Sequence, residues 1–290
     1  MTRIIDRLAD ISADYDAVFC DLWGCLHNGI EACPEAISAL RAFREKGGTV
    51  ILLTNAPRQR ASVQKQIERM NTPRDCWDSI ATSGDSARLA MFTGAVGQKV
   101  YFIGQPHDEV FFEPIQLLDD PLPVRRVPLK EAEGIVCCGP VDPFADPSVN
   151  RPDFLYAKER GLKLLCANPD IVVDRGETRE WCAGALARLY EDMGGTSLYF
   201  GKPHPPVYDL ARRRIAELGK DIPDSRILCI GDGIHTDIRG AQGEDLDSLF
   251  ISGGLAASQT KTTDQPDPAA LEEYLREEMQ APTFTIGKLR

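Results

Sequence analysis

Four apolar runs in this chain end on residues that could do chemistry together. Ala17-Val18-Phe19-Cys20 runs into Asp21, and Thr49-Val50-Ile51-Leu52-Leu53 runs into Thr54-Asn55. Ser197-Leu198-Tyr199-Phe200 is closed by Gly201-Lys202-Pro203, and Arg226-Ile227-Leu228-Cys229-Ile230 by Gly231-Asp232, with Asp237 shortly after. In an open parallel α/β sheet, ligands bind beyond the carboxyl ends of the strands. These four ends would deliver a carboxylate, a hydroxyl, an ammonium and a second pair of carboxylates. Oxygen ligands of this kind suit Mg²⁺, and an aspartate beside such a cation can attack phosphorus as a covalent nucleophile.

The ordered quartet resembles the haloacid dehalogenase superfamily, whose members are mostly phosphatases. Asp21 matches the nucleophile motif, Thr54 the hydroxyl motif, Lys202 the lysine motif, and Asp232 with Asp237 the acidic motif. The stretches TNAPR, ANPD, GKPHPPVYD and GDGIHTDIRGA are similar to those of subclass IIA, the NagD-like and 4-nitrophenylphosphatase-like branch. That branch acts on sugar phosphates, pyridoxal phosphate and aryl phosphates. The resemblance implies an aspartyl-phosphate on Asp21. It also implies a Mg²⁺ ion held by Asp21, Asp232 and the backbone carbonyl of Trp23. Thr54 would donate to a phosphoryl oxygen, although a threonine here also suits a helix cap. Lys202 would neutralise Asp21 and the phosphoryl group. Asp237 would orient Lys202 or a metal-bound water, or else serve as a first-turn helix acid. Asn55, Arg58 and Asn168 are candidate substrate contacts, with Asp170 a cap or hinge position. Asn-Pro also starts turns readily, so ANPD has a purely structural reading. Glu177 and Arg179 could face the cleft.

One position departs from the pattern. The family reads Asp-x-Asp in its first motif, and this chain reads Asp21-Leu22-Trp23. In the resembled phosphatases the second acid protonates the leaving group and then activates water. Tryptophan does neither, and general acid–base catalysis is worth about 10²–10⁴-fold. His27 and His235 are candidate replacements, each also readable as a polar loop residue. Two other functions therefore stay open: a phosphate-ligand-binding or regulatory protein with weakened turnover, and a phosphotransferase.

The elements that must position these residues follow from the apolar pattern. Strands are expected at 17–22, 49–53, 197–200, 226–230 and 247–251, and helices at 34–46, 58–70, 206–218 and 235–243. Alternating short strands and amphipathic helices predict an α/β fold, a Rossmann-like doubly wound parallel sheet. Asp21 and Thr54 are 33 positions apart, whereas Thr54 and Lys202 are 148 apart. One crossover needs far fewer residues than the second interval. Residues 82–181 are accordingly expected to form an inserted α/β cap of the C2 type, with 1–81 and 182–290 as the core. Cap strands are expected at 99–103, 134–138 and 163–166, and cap helices near 84–92, 150–160 and 180–192. The segment 252–270 reads as an exposed loop before a last helix near 268–279.

Composition bounds the partners. The chain has 290 residues, 43% of them apolar and 27% charged, as in ordinary globular domains. A net charge of −11 argues against nucleic acid or an anionic membrane as partner. A small phosphorylated metabolite remains compatible, because a bound cation and Lys202 can reverse the local potential. A homodimer is also open. The nine cysteines include no CxxC pair and sit mostly in apolar runs, which fits reduced thiols in the cytoplasm. No apolar run is long enough to span a bilayer, and the N-terminus carries no signal-like apolar stretch.

Overall fold

The computed structural model describes residues 2–115, 118–175 and 178–290. The chain divides into two compact units. The first comprises Met1–Thr54, Gln64–Ala81 and Lys202–Arg290, and the second Asn55–Val63 and Thr82–Gly201.

The first unit is built on a seven-stranded sheet. Its order is Arg3–Ile4, Phe284–Ile286, Asp247–Ile251, Ile227–Gly231, Ala17–Cys20, Thr49–Thr54, Ser79–Thr82. The central strands are buried on both faces, from Val18 and Phe19 through Val50, Ile51 and Leu52 to Leu228, Ile230 and Leu249. Continuous apolar runs of this kind are what a parallel sheet covered by helices on both sides requires. From Ala17–Cys20 the chain winds outward through Thr49–Thr54 and Ser79–Thr82. The late strands wind the other way, from Ile227–Gly231 to Asp247–Ile251 and Phe284–Ile286. The winding thus reverses between Ala17–Cys20 and Ile227–Gly231, the position where doubly wound sheets open a crevice for ligand. Parallel register puts Cys20 beside Ile230 on one side and Leu52 on the other. The next residues, Asp21, Gly231-Asp232 and Leu53-Thr54, therefore emerge together.

The second unit has its own five-stranded sheet, ordered Thr196–Tyr199, Lys163–Cys166, Gly134–Cys137, Lys99–Ile103, Arg125–Arg126, all parallel. One face packs Phe154, Leu186 and Tyr190 over Leu164 and Ile135. The other packs Met91, Phe92 and Phe111 over Val100, Val136 and Leu165. An antiparallel pair, Val172–Arg175 with Thr178–Trp181, completes it. No helix of the described residues is long and apolar enough to cross a membrane.

The α/β class and the parallel sheet are as expected, and several expectations need correction. The strand assigned to the core at 197–200 pairs with Lys163–Cys166 in the second sheet, Leu198 opposite Leu165. The helix Ala183–Asp192 packs there too. The division thus falls after Gly201, not after 181, and residues 55–63 also join the second unit. A short apolar strand carries no local mark of which sheet it will enter. The helix expected from 58 begins at Arg60, leaving Arg58 ahead of its first turn. The helix expected over 235–243 is a π-helical turn, Ile234–Ile238, followed by a short α-helix, Arg239–Gly243. The segment after Ser252 is not simply exposed: Ser252, Ala256 and Thr260 are buried. Its hydroxyls are satisfied locally, Thr260 Oγ1 donating to Ala256 O and Thr262 Oγ1 to Ser252 Oγ. A buried polar group is tolerable when it is hydrogen-bonded.

Candidate active site

Asp21, Thr54, Lys202, Asp232 and Asp237 all belong to the first unit and all are buried. Lys202 is 2% exposed, and its Nζ lies 2.7 Å from Asp21 Oδ1 and 2.7 Å from Asp237 Oδ1. It also donates to Leu53 O at 3.2 Å, at the end of the Thr49–Thr54 strand. Burial alone would lower the lysine's pKa, but the two flanking carboxylates outweigh it and raise the pKa, so Lys202 is charged. Asp237 is held in turn. Its Oδ2 accepts from Gly233 N at 3.1 Å and from Thr236 Oγ1 at 3.3 Å. Burial raises the Asp237 pKa against the pull of Lys202. The π-helical turn presents Asp237 to the lysine from the loop that follows Asp232, and such turns recur at functional sites.

Asp232 has a different environment. Its Oδ2 accepts one hydrogen bond from Leu255 N at 3.0 Å. Burial, with Asp21 and Asp237 adding repulsion, pushes its pKa up to about 8. The backbone crowds it at two glycines. A Cβ at Gly24 or at Gly254 would stand 2.1 Å from Asp232 Oδ2, and Gly24 has φ +71°. Both glycines are needed for that close approach.

The donors fit a divalent cation. Oxygen or sulfur atoms of Asp21, Cys25 and Asp232 lie within 4.8 Å of one another, and all three residues are buried. Were Asp21, Asp232 and Asp237 all ionised beside charged Lys202, two negative charges would stand uncompensated in the interior, and burial with that repulsion is what makes Asp232 hold its proton. Buried charge of that size calls for a counter-ion, and Asp21 and Asp232 offer the hard oxygens Mg²⁺ prefers. Cys25 is a member of this group that the sequence motifs do not mark. Its signal is position alone, one residue past the Gly24 turn. Burial and the Asp232 carboxylate push its thiol pKa well up.

Trp23 brings no acid to the site. Its ring makes an edge contact with His27, centroids 5.4 Å apart, and its six-membered edge lies where a Cβ on Gly29 would sit. His27 is 3% exposed and accepts from Gly29 N through Nδ1 at 3.0 Å. Burial lowers its pKa to about 4, so it is neutral near pH 7. His235 is exposed and its Nε2 lies 3.0 Å from Glu278 Oε2. His27 thus carries no imidazolium, and His235 is engaged by Glu278.

The expected substrate contacts lie in the second unit. Asn55 is buried, and its Nδ2 donates to Asp170 Oδ1 at 2.8 Å. Asn168 Oδ1 accepts from Asp170 N at 3.0 Å, so ANPD forms a side-chain-closed turn and Asn168 uses its oxygen within it. Gly201 sits against this assembly, where a Cβ would stand 2.5 Å from Asn55 Oδ1. Arg58 is half-buried. Arg179 is exposed on the strand Thr178–Trp181, and Glu177 lies outside the described residues.

Comparisons with known proteins agree with this geometry. Residues 18–116 match the family described as haloacid dehalogenase-like hydrolase, and residues 199–277 match the HAD-hydrolase-like family. The chain is 23% identical over 244 residues to the ribonucleotide monophosphatase NagD of Escherichia coli (strain K12), covering 83% of this chain and 88% of that protein. It is 23% identical over 273 residues to the 5'-nucleotidase YutF of Bacillus subtilis (strain 168), covering 91% and 97%. Among solved structures, a hydrolase of the haloacid dehalogenase-like family from Brucella suis 1330 superposes with a TM-score of 0.84 at 37% identity, over 99% of this chain and 100% of that one. A match of that identity over the full length, with the buried Asp21–Lys202–Asp237 cluster at the sheet's reversal point, shows that this chain belongs to the haloacid dehalogenase-like hydrolase family.

Proposed function

We propose that the chain is a Mg²⁺-dependent phosphatase that hydrolyses a small phosphorylated metabolite through an aspartyl-phosphate on Asp21. The observation that carries this reading is the Lys202 ammonium, 2.7 Å from both Asp21 and Asp237, beside the uncompensated carboxylate of Asp232. The names of the NagD and YutF relatives support a phosphomonoester as substrate. Sugar phosphates, pyridoxal phosphate and aryl phosphates are the classes to screen.

In this mechanism Asp21 attacks phosphorus, its oxygen forming the new P–O bond while the ester P–O bond breaks. Lys202 keeps Asp21 ionised and oriented and offers positive charge to the transferring group. Asp237 fixes the ammonium between the two carboxylates. Thr54 donates its hydroxyl to a phosphoryl oxygen. Asp21 and Asp232, with the Trp23 carbonyl, would hold Mg²⁺. When bound, the cation neutralises the negative charge that otherwise keeps two anions apart. Water then cleaves the aspartyl-phosphate, restoring the carboxylate and releasing phosphate.

The packing of Trp23 against His27 and Gly29 favours a second reading in which water attack is slow and another hydroxyl accepts the phosphoryl group. A phosphate-release screen with Mg²⁺, repeated with added alcohols and with EDTA, tests both. Phosphatase action predicts release that EDTA stops and Mg²⁺ restores. Full activity in verified metal-free protein overturns it, and turnover that rises steeply with alcohol supports transfer.

A further inference from the structure

Cys25 stands among the proposed cation ligands without a role in the phosphatase reading. It is 4% exposed, and among the described residues its sulfur has no hydrogen-bond partner. Three other buried thiols are occupied: Cys20 Sγ donates to Asp21 O, Cys76 Sγ to Pro73 O, and Cys166 Sγ to Asn168 O. Cys25 instead faces the two carboxylates, its donor atom and theirs within 4.8 Å of one another. Tetrahedral bonds of about 2.0–2.3 Å to one ion put donors roughly 3.3–3.8 Å apart. Small side-chain shifts therefore suffice to close all three on a single cation. Gly24 and Gly254 bring backbone close against the Asp232 carboxylate, so it has little room to turn away.

We infer that Asp21, Cys25 and Asp232 form a second-mode cation site that takes a thiophilic divalent ion of the zinc class, with Cys25 as thiolate ligand, in competition with Mg²⁺. This rests on the reading of Asp21 and Asp232 as the Mg²⁺ carboxylates. Mg²⁺ has no use for sulfur, so it engages the oxygens only. Zinc and cadmium take thiolate and carboxylate together and bind mixed sites more tightly than hard cations do. On binding, the Cys25 S–H bond breaks, its proton passes to solvent, and a sulfur–metal bond forms. Nothing is oxidised or reduced. Asp21, drawn into that ligand set, is no longer free to attack phosphorus, so the zinc-class ion acts as an inhibitor built on the same carboxylates.

The test uses metal-free full-length protein titrated with Cd²⁺ alone, read by the near-ultraviolet absorption of a cadmium–thiolate bond. The expected result is a band that saturates at one equivalent, one more proton released per ion by the wild type than by Cys25→Ser, and suppression of the band by excess Mg²⁺. Cys25→Ser and Cys25→Val should lose the band and weaken Cd²⁺ binding by about tenfold or more. Calorimetry with Mg²⁺ alone should show much smaller changes. A wild-type band that is absent, that excess Mg²⁺ leaves untouched, or that survives both substitutions overturns the inference. Phosphate release with Mg²⁺ is scored separately. Turnover without the cadmium band defeats this inference alone, and the band without turnover defeats the phosphatase reading alone.

Discussion

The two sides of the candidate site are buried to the same depth and balance charge in opposite ways. Lys202 and Asp237 are 2% and 5% exposed and satisfy each other, with Asp21 shared between them. Asp232 and Cys25 are 6% and 4% exposed, yet one backbone N–H is the only donor the described residues give Asp232, and Cys25 has none. The lysine side is complete within the chain. On the proposed reading, a cation completes the Asp232 side. A buried ion pair is strongly destabilised by loss of one partner, whereas a buried lone charge weakens the fold until something pairs with it. Substitutions on the two sides should therefore differ in sign as well as size.

The largest effect is expected at Asp21, which both sides share. Asp21→Asn should reduce phosphate release on the order of 10⁴-fold or more, as removal of covalent nucleophiles does elsewhere. Acid-stable trapping of labelled phosphate on the protein should vanish with it. Near-wild-type turnover in folded Asp21→Asn would remove the nucleophile from the mechanism.

Trp23 comes next. Lys202 is locked between carboxylates and His27 is buried and not an imidazolium, so neither replaces the acid that the family carries at position 23. Rates should therefore fall steeply as the leaving group becomes more basic, aryl and acyl phosphates reacting far better than sugar phosphates. Trp23→Asp should raise turnover of alkyl phosphates by up to about 10²–10⁴-fold, the usual worth of a general acid. A kcat/KM series across leaving groups checks this, and a flat series in the wild type would mean that a proton donor is present after all.

On the lysine side, Lys202→Met removes the buried ammonium that Asp21 and Asp237 share. Stability should drop by about 3–5 kcal/mol, the usual cost of breaking a buried ion pair. The double variant Lys202→Met/Asp237→Asn should recover part of that loss. Urea unfolding of the three proteins measures it, and a double variant no more stable than the single one would argue against charge as the cause.

Much of this contrast was legible in the sequence. Asp21 and Asp232 each follow a strand directly, and parallel register converts that position into convergence; Lys202 follows a strand of the second sheet, and only its Gly-Lys-Pro motif marked it. Other features were invisible for physical reasons. Ser197-Leu198-Tyr199 is equally good strand material for either sheet, and its place was decided by pairing with Leu164 and Leu165, far away in sequence. The pair Val172–Arg175 and Thr178–Trp181 lacks a clean apolar alternation, so it reads as loop. Arg3–Ile4 is a strand only because it meets Phe284–Ile286 across the whole chain. Cys25 looked like any small core residue, since nothing local to it announces that Asp232 will arrive beside it.

The Asp232 side gives the smallest expected change and the clearest sign. Burial holds its pKa at about 8, against 3.8 for an ordinary carboxyl. Below about pH 4 the folded and unfolded chains both carry this proton. Between there and about pH 8 the folded chain keeps the proton that the unfolded chain has released, so stability falls as pH rises, and it levels off above that range. Asp237 is also raised and adds a slope of the same sign, so only the difference between wild type and Asp232→Asn belongs to Asp232. In EDTA, the variant should be the more stable protein above about pH 5, by a margin that grows toward pH 8 and reaches on the order of 1–3 kcal/mol. Mg²⁺ should reverse the ranking. It stabilises a protein that binds it by about 2.7 kcal/mol at a hundredfold excess over Kd, and Asp232→Asn should gain little. Urea midpoints across this pH range, with EDTA and with Mg²⁺, measure all of it. A variant that is less stable than wild type in EDTA at about pH 8 would show that Asp232 is paired within the chain, and the contrast between the two sides would fail.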